Sequence, residues 1–323
     1  MPSRENARVD QLLTRYGVGY SNADHIGLEI LPAAGVSQKS NKYPIWGKEQ
    51  FRLRNDAASE RGGGTSIDFE YSSGNYSCDG HLQDHFVPNA SDFQSPPFEE
   101  KRDATMLAMQ GISLGQEKEI IDLVLSSAVT DSDSPTTKWD AATTANDIIG
   151  YIEARKTARQ AKIGRRPNRL ALGVDVMDVL KANAGLLDAI KYTQRGVITE
   201  ELLASLLGLD KVVVSEAIYD SANEGQTFSG APLWTAETAL LYYYPTGGAA
   251  ANTKMPALGR TFMWTGVPGG IEGVQVQTAT IPPGTPPNGR GTHGGVNVIA
   301  TQYRDHVIQT ALAGERLTNL LST

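Results

Sequence analysis

The chain has 323 residues, 40% hydrophobic and 20% charged, and its 29 basic against 36 acidic side chains leave a net charge of −7. That balance excludes a disordered or fibrous chain and argues against phosphate-driven nucleic-acid binding, which favours a basic surface, though a local patch stays open. The single cysteine, Cys78, excludes an internal disulfide and fits a reducing compartment, and the absence of a signal-peptide core or an apolar run of bilayer length predicts a soluble, cytoplasmic start.

Val9, Leu12, Leu13 and Tyr16 share one face of a predicted short helix that Gly17 is placed to end. After Pro32 the run from Ala33 to Gln38 offers little core material, so this segment is either an arm packed on a neighbour or a mobile terminus. Residues 43 to 78 pattern as a long hairpin. Phe51 and Leu53 alternate with Arg52 and Arg54 on one arm, and Ile67, Phe69 and Tyr71 alternate with Ser66, Asp68 and Glu70 on the other. Paired, the basic face of one arm meets the acidic face of the other. Residues 55 to 64, which include Arg61 and end in three glycines, form a polar tip. A two-stranded ribbon is marginal alone in water, so an extended one implies a partner surface.

Ser95-Pro96-Pro97 followed by Glu99 and Glu100 starts the longest predicted helix, because proline and acid both suit a helix N-terminus. Its apolar stripe runs from Phe98 to about Val129, with a bend or break expected at Gly111 and Gly115. A second helix is predicted from about Asp140 to Ile163, closed by Gly164. There follow a strand at Arg169 to Leu172, a helix carrying Val176, Val179 and Leu180, a helix from Glu200 to Leu207 capped by Thr199, and strands at Lys211 to Val214 and Ala239 to Tyr244. This alternation describes an α/β unit. Glycine and proline dominate from Pro245 to Gly295 around strand-like islands at Arg260 to Trp264 and Val274 to Ala279, and the tail from Val296 is strand-rich.

Few residues form a pattern that could carry chemistry. Gly111-Ile112-Ser113-Leu114-Gly115 has the spacing of a hydrolase nucleophile elbow, but that elbow needs a strand before the serine, and here the preceding residues are helical in pattern. Cys78, His81 and His85 have zinc-ligand spacing without a fourth ligand nearby; polar residues on a loop are the plainer reading. The string from Gly289 to Gly294 fits a dinucleotide fingerprint yet follows a proline-rich loop instead of a strand. Lys156, Arg159, Lys162, Arg165 and Arg166 form the densest basic cluster, suited either to a helix C-terminus or to salt bridges between subunits. No catalytic, cofactor or metal site is expected.

Three stretches in order resemble the major capsid proteins of tailed phages and prophages, which share the Hong Kong phage-type shell fold with encapsulins. They are Gly47-Lys48-Glu49-Gln50-Phe51-Arg52-Leu53, the run Ile163 to Gly173, and the run Ile190 to Glu200 leading to Lys211-Val212-Val213-Val214. The resemblance implies an α+β chain divided into an N-terminal arm (1–40), an extended hairpin loop lying over the adjacent subunit (41–92), a peripheral domain with a spine helix (93–139), an axial α/β domain (140–255) and a strand-rich return to the peripheral domain (256–323). It implies hexamers and pentamers in an icosahedral shell around double-stranded DNA, with portal, scaffolding and decoration proteins as further partners and no sequence-specific DNA contact or membrane. The subunit contacts expected on this reading are Arg52, Arg54, Arg61, Asp68, Glu70, Lys156, Arg159, Arg165 and Arg166. An encapsulin-like compartment and a serine hydrolase using Ser113 are the rival readings.

Overall fold

Two large sheets, of six and five strands, are linked by one long helix in a computed structural model that describes residues 7–45, 53, 72–89, 97–141, 146–190, 198–223, 225–245, 257–282 and 294–322; two two-stranded sheets accompany them. In chain order the elements are β1 (Ala7–Val9), α1 (Gln11–Val18), α2 (Gly27–Ile30), β2 (Ala33–Val36), β3 (Ser40–Ile45), β4 (Ser72–Ser77), β5 (Asp79–Pro88), α3 (Pro97–Leu125) and β6 (Ser132–Asp133). There follow α4 (Ile148–Ile163), β7 (Arg169–Gly173), α5 (Val174–Ala182), α6 (Ala184–Ile190), α7 (Glu200–Leu206) and β8 (Lys211–Ser215). The chain continues through β9 (Ile218–Asp220), β10 (Gly230–Pro232), β11 (Ala239–Tyr242), β12 (Gly259–Trp264), β13 (Val274–Ile281), β14 (Gly295–Ile308) and β15 (Gly314–Leu317).

The first sheet is built on β14, a 14-residue strand. One edge of β14 pairs with β5; the other pairs with β13 and then, from Arg304 on, with β12. Outside these lie β1, antiparallel to β13, and β2, parallel to β12. Residues 33 to 36, which their small side chains suggested would lack core, are therefore a sheet strand. Only Ala34 among them is buried, and the strand is held by its parallel backbone pairing with β12. The antiparallel pair β3–β4, from Ser40↔Ser77 to Ile45↔Ser72, forms the base of the expected hairpin. Apart from Leu53, the rest of the arms and the tip, with Arg52, Arg54, Arg61, Asp68 and Glu70, lies outside the described residues.

The second sheet runs β6-β15-β11-β7-β8 and is covered on both faces. Leu170, Leu172, Ala239 and Leu241 point into a core shared with α4, α5, α6 and α7. Ala171, Leu240 and Tyr242 point into another shared with α2, Trp234 and the C-terminal half of α3. Burial on both faces is why β11 reads as an unbroken apolar run. The last strand, β15, belongs to this sheet, antiparallel to β11.

Helix α3 links the two halves. Its first turns place Ala104, Ala108, Met109 and Ile112 against Val87, Val276, Val298 and Ala300 of the first sheet, and Ile120, Ile121 and Val124 reach the second core. It runs 29 residues unbroken through Gly111 and Gly115 and ends at Leu125, earlier than its apolar stripe suggested. The helix is not broken at those glycines. A Cβ at 111 would overlap the Gln83 amide on β5, so glycine there admits the sheet.

Two capping expectations agree with the structure and two element bounds do not. Gly164 adopts a left-handed φ of 70° and closes α4, and the Thr199 hydroxyl accepts from the Leu202 amide at the start of α7. The Asp147 carboxylate caps α4 about two turns later than the predicted start. Gly17 lies inside α1, whose cap is Gly19.

Gly259 tests the first sheet. A methyl group there would meet the Val307 carbonyl oxygen and sit 2.8 Å from Leu31 Cδ2, and the carbonyl is backbone that cannot turn aside. Gly259→Ala is expected to cost about 1–3 kcal/mol, read as a lower urea midpoint with an unchanged slope.

Candidate functional site

Three polar clusters stand out against the apolar cores, and the basic cluster of α4 is the first. Lys156 is buried; its ammonium donates to the carbonyls of Leu207 (2.7 Å) and Gly208 (2.8 Å) and pairs with Glu153 at 2.6 Å. Arg159 is buried as well and reaches Asp131 through Nη1 and Glu315, 3.3 Å away, through Nε. Lys162 joins Asp131 at 2.8 Å, and Arg155 meets Asp133 at 3.2 Å. Hydrogen bonds from Lys162 lead in holding the Asp131 carboxyl below its usual range. Lys156 and Arg159 thus spend their charge inside the chain, tying α4 to α7, β15 and the segment before β6. Arg166 is exposed and pairs with Glu153, and Arg165 is half-buried.

The second cluster surrounds Glu119 on α3. Its Oε2 accepts from Arg304 Nε (3.1 Å) and Nη2 (3.0 Å) and lies 3.4 Å from His306 Nε2, both on β14. Its Oε1 is 3.4 Å from His81 Nδ1 on β5. Burial pushes this carboxyl up, but His306 and Arg304 together outweigh it and hold the group at about 2. Burial, then the Arg304 charge, pushes His81 down against the pull of Glu119, so the short His81–Glu119 distance is a contact of a neutral imidazole more than an ion pair.

Both shifts act in the same direction. A depressed carboxylate contributes stability above its ordinary value of 4.5 and loses it as pH falls towards about 2. A histidine kept neutral in the fold loses stability below its ordinary 6.5, where the unfolded chain takes up the proton first. Acid is therefore expected to loosen the α3–sheet contact, and Glu119→Gln to flatten the part of the transition below pH 4.5, as followed by tryptophan fluorescence.

Cys78, His81 and His85 do not form a site. Cys78 is fully buried beside Tyr43, Tyr76 and Phe262, where burial raises its thiol to about 11, whereas His81 faces Glu119. Among the described residues no group of three or more His, Cys, Asp or Glu is gathered to hold a metal ion. Of the dinucleotide-like string, residues 289 to 293 lie outside the described residues.

The third cluster is at Ser113, where the structure brings a histidine that sequence spacing could not announce. His25 Nδ1 lies 2.7 Å from Ser113 Oγ at the wall of a cleft of about 390 Å³ between α1, α2 and α3. Nucleophilic catalysis would need that nitrogen to accept the serine proton. The hydrogen bonds assign it the opposite role. Asn22 Oδ1 accepts from the Asp24 amide at 3.1 Å, which leaves Asn22 Nδ2 to face His25 Nε2 at 3.3 Å as a donor. Nε2 is then the acceptor and Nδ1–H donates to Ser113. Burial, opposed by Asp24, lowers the histidine below its ordinary range and keeps it neutral. Ser113 also sits inside α3, where backbone amides are engaged along the helix and supply no oxyanion hole. A hydrolase using Ser113 is not what this geometry builds.

No protein-family model matches the chain. It is 32% identical over 269 residues to the major capsid protein of Burkholderia phage BcepMu, covering 80% of this chain and 85% of that protein. Its fold is similar to the crystal structure of a phage-related protein from Bordetella bronchiseptica, with a TM-score of 0.72, 23% identity and 97% of each chain covered. It is also similar to the SrpI encapsulin of Synechococcus elongatus, with a TM-score of 0.50, 13% identity, and 92% and 89% of the two chains covered.

Proposed function

Because this chain belongs to the family of phage major capsid proteins, we propose that it forms the hexamers and pentamers of an icosahedral phage head enclosing double-stranded DNA. The chain has the Hong Kong phage-type shell fold. The observation that carries the reading is the 32% identity sustained over most of both proteins, a level at which the phage capsid relative outweighs the 13% identity to an encapsulin. The role is structural and needs no cofactor. Its partners on this reading are further copies of the chain, with portal, scaffolding and decoration proteins, and DNA held without base-specific contact. The net charge of −7 fits a wall that does not trap the packaged duplex. Assembly would take place in the host cytoplasm and the product would be the virion capsid.

Purified protein is expected to elute as capsomers or shells and to show closed particles by negative-stain microscopy. A stable monomer across micromolar concentrations would overturn the reading. The likeness to SrpI favours a second reading, an encapsulin-like compartment, and particles that carry a cargo protein instead of DNA would select it.

A further inference from the structure

Helix α2 is four residues long, yet it is tied to three different parts of the fold. At its start the Glu117 side chain of α3 holds two backbone amides. Oε1 accepts from Ile26 (2.9 Å) and Gly27 (3.0 Å), and Oε2 accepts from Gly27 as well (2.8 Å). At its end the Glu29 carbonyl accepts from Arg169 Nη1 on β7 and from the Tyr242 hydroxyl on β11, both at 3.1 Å, and the Glu29 carboxylate pairs with Lys211 on β8. The next residues bind the first sheet: Thr261 of β12 donates its hydroxyl to the Leu31 carbonyl and its amide to the Pro32 carbonyl. One turn thus joins the long helix to both sheets. It has no stability of its own, since isolated helices shorter than about 12–15 residues are marginal in water, so its order depends on these ties.

The tie at Glu117 is the one without a compensating charge. Glu117 is 3% exposed and forms no ion pair among the described residues. The titratable groups around it are His25, kept neutral beside Asp24, with Tyr20 and Glu272 along the same cleft. Nearby cations are engaged elsewhere: Lys118 with Asp122, Arg304 with Glu119, and Lys211 with Glu29. Burial outweighs the two amides and pushes the Glu117 carboxyl up from its usual range. Once protonated, Glu117 can still accept from both amides through Oε1 while Oε2 carries the proton, so the tie persists without a buried charge.

We propose that α2 is a strap between the two halves of the subunit, tightened by a proton on Glu117 and loosened when that proton is lost. Of two states in equilibrium, acid favours the one that binds the proton more tightly. Glu117 binds it more tightly beneath α2 than in water once α2 has lifted. The strap therefore gains hold as pH falls towards the ordinary 4.5 and gives it up as pH rises through the raised value of the buried group. Glu119 and His81 respond in the opposite sense, so acid slackens the grip of α3 on the first sheet while tightening its grip on α2. Nothing in this strap depends on assembly into a shell.

Hydrogen exchange of the full chain, corrected for the intrinsic pH dependence of amide exchange, tests the strap. In the wild type, protection of a peptide spanning residues 26 to 31 is expected to rise several-fold from neutral pH to pH 4.5, while protection of β5, which carries His81, falls. Glu117→Gln offers the same oxygen without a charge at any pH. It is expected to hold the α2 peptide at its acid level throughout and to leave the β5 response unchanged. Glu117→Ala removes the acceptor and is expected to leave the α2 peptide weakly protected at every pH. A wild-type α2 peptide that follows β5 downwards or ignores pH would overturn the proposal. So would a Glu117→Gln protein that keeps the wild-type response, which needs no folded alanine variant to be read. Either result would leave the shell reading untouched.

Discussion

Arg159→Ala is expected to lower the stability of the subunit by about 3–5 kcal/mol, the cost of removing one member of a buried ion pair and stranding the other. Arg159 and Glu315 have side chains only 3% exposed, and their contact of 3.3 Å is an attraction without an aligned hydrogen bond, since neither Arg159 Nε nor Glu315 Oε2 has a hydrogen-bond partner among the described residues. Burial accordingly pushes the Glu315 carboxyl up, and Arg159 and Arg155 offset it only in part. The pair is therefore poor at repaying its own desolvation. The double variant Arg159→Met with Glu315→Leu is expected to recover most of the loss, and guanidinium melts of the single and double variants measure the difference. If the double variant is no more stable than Arg159→Ala, the contribution of Arg159 lies in packing and in Asp131, not in the charge of Glu315.

Trp139→Ala is expected to cost about as much, about 3–5 kcal/mol, through the cavity it would leave in the core of the second sheet. Trp139 is 1% exposed, stands edge-on to Tyr151, and fixes the chain on both sides: its amide donates to the Leu320 carbonyl and its carbonyl accepts from Asn183. Its indole Nε1, however, has no hydrogen-bond partner among the described residues. Trp139→Phe removes that orphaned donor while keeping most of the apolar volume, so it is expected to cost far less than the alanine. Trp234, whose Nε1 donates to Thr238 at 2.9 Å, supplies the control: there the phenylalanine variant loses a made hydrogen bond and should fare worse. Chemical denaturation of the three variants ranks them directly.

How much of this was legible beforehand depended on the range of the forces involved. Local signals read well. Gly164, Thr199 and the unbroken apolar run of β11 each act within a few residues, and each placed its element. Gly111 misled because a helix-breaking propensity of about 1 kcal/mol was overridden by packing against Gln83 on another strand. Ala33 to Val36 misled for the opposite reason: small side chains announce no core, yet backbone pairing to β12, more than 200 residues later, makes them a strand. The functional clusters lay furthest out of reach. His25 and Ser113 are 88 residues apart, and Arg159 meets Asp131 and Glu315 from opposite directions along the chain, so the cluster was visible as basic while its partners were not. Membership of the phage major capsid protein family was legible from family-level strings, two of which lie partly on residues outside those described.

The placement of β15 has a consequence for how the subunit is made. It lies between β11 and β6, and its Arg316 and Leu317 pair with Ser132 and Asp133, translated more than 180 residues earlier. A ribosome that has already released α4 to α7 still holds back the strand that β6 and β11 await. The second sheet therefore closes late, by a contact of very large sequence separation, and such contacts fold slowly. Until residue 317 emerges, Arg159 lacks Glu315 and the core lacks Leu317 and Leu320. A growing chain on a polysome, crowded by identical chains, is thus withheld from its finished shape until synthesis has passed this strand.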